Sequence, residues 1–136
     1  MKQGTEKRMA KIKVKVEKTS TGFSAYADKY SAFTTGKTVA ELVANMVESL
    51  NLHLEEAGSR KVVTPNDLLF ELDLTSIFEV FPVINVRALS DRLGMNYTLI
   101  SQYATGKKKP SSKQAERIME GIHEIGRELS ELSLIA

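Results

Sequence analysis

The chain has 136 residues, 42% of them apolar, which is enough for one core or two small ones, and a net charge of +2. The absence of cysteine excludes disulfide frameworks, thiolate metal sites and thiol nucleophiles, and fits a reducing, cytoplasmic setting. No apolar run approaches the roughly 18 residues of a membrane span, and the lysine-rich start carries no signal-peptide core, so a soluble protein is expected.

The charge is segregated along the chain. Residues 1–18 carry seven basic against two acidic side chains, residues 85–117 again seven against two, and residues 41–84 two against eight. Basic ends around an acidic middle suit a protein that holds a polyanion with one part of its surface and a second partner with another.

Residues 1–10 read as a flexible arm. From Lys11 the pattern alternates: Ile12, Val14 and Val16 point one way and Lys11, Lys13, Lys15 and Glu17 the other, which predicts a half-buried strand. Thr19 to Gly22 make a turn, Phe23 to Asp28 a second strand and Ser31 to Thr35 a third, together an antiparallel meander. Gly36-Lys37-Thr38 ends like a nucleotide-binding P-loop, but that pattern needs a glycine where Ser31 stands, and it needs a parallel sheet. Gly36 therefore reads as a strand end, Lys37 as a solvated charge, and Thr38 with Glu41 as a capping box.

Val39, Leu42, Val43, Met46, Val47, Leu50 and Leu54 recur at helical steps, and Gly58 is placed to end that helix. After a turn at Thr64 to Asp67, Leu68 to Leu74 reads as another strand. Ser76 to Glu79 is a second capping box, and beyond it every apolar pattern is helical. The expected division is a small antiparallel sheet with a helix over 11–75 and an all-α unit over 76–136, an α+β chain.

In the second unit, Asn85 to Gly94 and Asn96 to Tyr103 form two short helices across a tight turn, with Leu89, Leu93, Leu99 and Ile100 locking them. Thr105-Gly-Lys-Lys-Lys-Pro110 follows as a cationic loop. The run "LSDRLGMNYTLISQYATGKKKPS" resembles the Cro and lambda-repressor-like (XRE) DNA-binding family, with Ser90 where that family has alanine at the helix crossing. The resemblance implies that Tyr97, Thr98 and Gln102 face base edges of operator DNA. Their chemistry agrees, since glutamine can bond adenine bidentately and hydroxyls can reach bases or phosphates. It further implies that Arg87, Asn96, Ser101, Lys107, Lys108 and Lys109 contact the phosphate backbone, positioning the domain without reading sequence.

A last helix starts at Ser111. Within it Ile118, Ile122, Ile125, Leu129 and Leu132 make a coiled-coil-like seam, expected to join two copies as a symmetric dimer on two half-sites.

The first half, through Gly22, Phe23, Gly36, Thr38 and Glu41, resembles the N-terminal domain of HicB antitoxins. That resemblance implies a reduced RNase-H-like sheet and two activities: neutralising a HicA-type mRNA-cleaving toxin and repressing the shared operon. Tyr26, Tyr30 and Phe33 are candidate toxin-facing anchors, because exposed aromatics favour interfaces. The alternative is a stand-alone XRE-type regulator whose first domain senses a ligand or dimerises. Catalysis is not expected: Glu17 and Asp28 are too few carboxylates for two metal ions, His53 and His123 stand alone on helices, and Ser101 has no candidate base. No cofactor or metal is expected.

Overall fold

The computed structural model describes residues 10–135, so the arm expected over residues 1–10 lies outside the described residues except for Ala10. The chain divides between Leu72 and Asp73 into two compact units. The first has strands β1 (Ile12–Lys18), β2 (Phe23–Ala27), β3 (Ala32–Gly36) and β4 (Leu68–Glu71), with helix α1 (Val39–Glu56) between β3 and β4. The second has helices α2 (Leu74–Val80), α3 (Val86–Leu93), α4 (Tyr97–Thr105) and α5 (Ser112–Ser130). Among the described residues no helix is long and apolar enough to cross a membrane.

The sheet order is β3-β2-β1-β4. β1, β2 and β3 pair antiparallel, as the alternation and turns predict, but β4 lies parallel to β1 in the register Ile12 to Leu68 and Val14 to Phe70. The expected purely antiparallel sheet is thereby corrected to a mixed one. The reason is the return leg: α1 carries the chain back along the sheet, so β4 enters from the same end as β1, and parallel neighbours require such a crossover.

One face of the sheet is buried under α1. Ile12, Val14, Val16, Ala25, Ala27, Ala32 and Leu68 meet Leu42, Met46, Leu50 and Leu54 in a single core. The joint between sheet and helix is close. A side chain on Gly22 would strike the carbonyl of Gly36, and one on Gly36 would lie 2.6 Å from the backbone nitrogen of Leu42. Thr38 then caps α1, its hydroxyl accepting from the Glu41 N–H at 3.1 Å. The Glu41 carboxylate accepts from the Lys37 N–H at 2.9 Å, one residue before the cap, a variant of the expected box.

At its far end α1 stops where Gly58 takes φ +75°, with the Ser59 N–H donating to the Leu54 carbonyl and the Gly58 N–H to that of Glu55. The returning loop is pinned by Asn51. Its Oδ1 accepts from the Val63 N–H at 2.7 Å, and its Nδ2 donates to the Val63 carbonyl at 3.1 Å.

The strand expected through Leu74 ends at Glu71, because Asp73 starts α2. Its carboxylate accepts from the Ser76 N–H at 2.8 Å, so the capping box expected at Ser76 to Glu79 lies inside the helix. Leu72 goes to the first core and Leu74 to the second. That second core gathers Leu74, Phe78, Leu89, Ile100, Tyr103 and Ile118.

Two expectations concern stability. Asn51→Ala would leave both backbone groups of the buried Val63 without their partners and should cost about 1–3 kcal/mol in chemical denaturation; a loss below about 0.5 kcal/mol would mean that the loop is held by other contacts. The hydrogen bonds from Ser76, backbone first and then side chain, hold the Asp73 carboxyl below its ordinary range. The stability it contributes is therefore full above the ordinary carboxylate pKa and lost as pH falls through the lowered one. Asp73→Asn, which keeps a good cap, should flatten that part of the acid dependence of thermal melting; an unchanged profile would remove the role of its charge.

Candidate nucleic-acid interface

α3 and α4 are two short helices joined by a tight turn. Asn85 caps α3, accepting from the Ala88 N–H at 2.9 Å, and Gly94 ends it at φ +66° while the Met95 N–H donates to the Ser90 carbonyl at 3.0 Å. Asn96 then caps α4, accepting from the Leu99 N–H at 3.1 Å. Leu89 and Ile100 are buried between the helices, and Leu93 and Leu99 pack against them half-exposed. Ser90 is fully buried at the crossing, with its hydroxyl donating to the Arg87 carbonyl at 2.7 Å, so the place tolerates a hydroxyl that finds its own acceptor.

α4 has two sides. Leu99, Ile100 and Tyr103 turn inward, leaving Tyr97, Thr98, Ser101, Gln102 and Thr105 along the outer stripe at the steps of one helix face. Tyr97, Thr98 and Thr105 are exposed, whereas Ser101 and Gln102 are half-buried. Ser101 lies between Tyr97 and Thr105 in the middle of the stripe, and Gln102 lies at its margin. The cap role of Asn96 occupies its side-chain oxygen. Thr105 is an outer-face residue that reading from sequence passed over; its hydroxyl donates back to the Ser101 carbonyl at 3.0 Å.

Cations stand at both ends of the stripe. The Arg87 guanidinium lies over the Tyr97 ring, 3.9 Å from its centroid, so the two form one stacked unit at the start of α4. Beyond its end, Gly106 takes φ +81° and the Lys108 N–H donates to the Gln102 carbonyl at 3.2 Å, turning the exposed Lys107, Lys108 and Lys109 back beside the helix. Nine helical residues separate these ends, roughly 13 Å at 1.5 Å per residue and comparable with the roughly 12 Å width of a B-DNA major groove.

Other basic side chains of the 85–117 segment are used internally. Arg92 bonds Glu128 and lies 3.7 Å from Glu124, which raises its own pKa and lowers that of Glu128. Arg117 donates to the Leu93 carbonyl at 2.7 Å and so closes the end of α3. Lys113, exposed at the start of α5, is a further free-standing cation whose only signal in the sequence is membership of the basic segment.

The seam expected on the last helix is divided by the fold. Ile118 is completely buried in its own unit's core, and Ile122 and Ile125 pack half-buried against that core, because α5 must cover the exposed side of α3. Ile118 is thus corrected from dimer contact to core residue. Leu129 and Leu132 are exposed, Leu132 beyond the helix end. Val83, Ile84, Leu89, Ile122, Ile125 and Leu129 line an open apolar groove of about 510 Å³.

In the first unit the candidate anchors separate. Tyr26 and Phe33 face away from α1, directly opposite one another in the pairing of β2 with β3, while Tyr30 packs against the core. The acidic side chains Glu48, Glu55 and Glu56 project from the outer side of α1 beside the exposed Leu52. Among the described residues no three His, Asp or Glu side chains are grouped as a metal site would require. No protein-family model matches the chain, and no curated protein matches it.

Proposed function

We propose that the chain is an antitoxin of the HicB type: a non-catalytic protein that neutralises a HicA-type mRNA-cleaving toxin and represses its own operon through a Cro and lambda-repressor-like helix-turn-helix. The observation that carries the DNA-binding part is the outer stripe of α4 with cations at both ends. α4 enters the major groove, where Tyr97, Thr98 and Gln102 meet base edges, and Arg87, Asn96, Ser101 and Lys107 to Lys109 hold phosphates. Two copies on two half-sites follow, joined through the apolar groove of α3 and α5 and the exposed Leu129 and Leu132.

The toxin-binding part rests on charge. An RNA-cleaving partner is basic, and the outer side of α1, with Glu48, Glu55 and Glu56 around Leu52, offers an acidic surface with an apolar centre. Covering the partner's basic active face excludes RNA from it. Tyr26 and Phe33 lie on the side of the sheet away from α1, a surface separate from this one.

Two measurements test the reading. Gln102→Ala should relax operator preference at a cost of about 1–3 kcal/mol, while Lys108→Ala should weaken all sequences alike and shallow the salt dependence; sequence selection untouched by Gln102→Ala would remove Gln102 from the base-reading set. Co-expression with a basic neighbour-gene product of about 60–80 residues, a single small domain, should give a complex and restore growth. If neither occurs, the chain is a stand-alone regulator.

A further inference from the structure

α1 covers only one face of the sheet, and among the described residues no other element of the first unit covers the second face. The pairing register lays one row across all strands on that open face: Phe33 of β3 opposite Tyr26 of β2, Tyr26 opposite Lys15 of β1, and Lys15 opposite Glu71 of β4. Phe33 is 61% exposed and Tyr26 38%. Along β1, exposed Lys13 and Lys15 stand at alternate positions, about 6.7 Å apart, and exposed Lys11 immediately precedes the strand. The next row sets the hydroxyls of Thr35 and Ser24 opposite each other, with Glu17 of β1 opposite Ser24 at its far side.

We infer that this face is a binding platform for single-stranded RNA. Two neighbouring rings offer π-faces on which unpaired bases stack, and the lysine row neutralises the phosphates of the strand that carries them. A duplex cannot use the rings, since its bases are already stacked on one another. A basic protein is repelled by the same lysines and is served by the acidic outer side of α1 instead. The hydroxyl row gives the preference for RNA, because Thr35 and Ser24 can exchange hydrogen bonds with 2′-hydroxyls that DNA lacks. This inference stands apart from the antitoxin reading and from DNA binding by α4.

Fluorescence anisotropy of the full chain with a labelled, uridine-rich single-stranded RNA of about 12 nucleotides tests it, alongside the same sequence as single-stranded DNA and as duplex RNA. Binding should favour the single-stranded RNA and weaken as salt rises. Phe33→Ala and Tyr26→Ala should each lower affinity at least about fivefold, and Lys13→Glu should also lower it, all three with unchanged thermal melting and operator binding. Phe33→Leu, which keeps apolar bulk without a π-face, should behave like Phe33→Ala even if the latter folds poorly. Equal affinity for the three nucleic acids, or RNA binding that survives these changes but falls with Lys107→Ala and Lys108→Ala, would each overturn the inference.

Discussion

Two glycines let three backbone segments meet where the first unit's sheet becomes its helix. Gly22, in the turn between β1 and β2, abuts the carbonyl of Gly36, and Gly36 abuts the first turn of α1 at Leu42. A Cβ at either place would push backbone against backbone, which cannot be relieved by a rotamer change. This close approach lets α1 lie low enough for Leu42, Met46, Leu50 and Leu54 to reach the small Ala25, Ala27 and Ala32 of the sheet. From that placement follow the return leg of the chain, the parallel entry of β4 and the exposure of the opposite face.

Much of this was legible along the chain because it is local. The alternation from Ile12 to Val16, the apolar stripe of α1, the stop at Gly58 and the caps Thr38, Asn96 and Ser111 each depend on residues a few positions apart. What was misread depends on distant partners. Whether Leu68 to Glu71 runs parallel or antiparallel is decided by which edge of β1 stands open, and whether Ile118 faces another copy is decided by α3. Asp73 was hidden for another reason: the apolar run from Leu68 to Leu74 looked continuous, yet its last leucines belong to different cores.

The candidate interface shows the same division. That Leu99, Ile100 and Tyr103 form the inner side of α4 follows from helical steps, but the assignment of Arg92 and Arg117 to internal partners does not. Those arginines sit in a strongly basic segment, and only the packing of α5 shows which cations are committed. Likewise the alternating lysines of β1 were visible as a solvated side, while their meeting with Tyr26 and Phe33 needed the register of the sheet.

The stack of Arg87 on Tyr97 bears on the entropy of association. Immobilising a rotamer-rich side chain when a partner binds costs about 0.5–1.5 kcal/mol. A guanidinium already resting flat on a ring has a narrowed set of conformations before any partner arrives, with its planar fork fixed in direction. Lysine carries the same charge but not the flat delocalised surface that makes this stacking possible. The start of α4 therefore carries a cation oriented during folding, whereas the three lysines at its other end retain their freedom and must be ordered at the moment of contact.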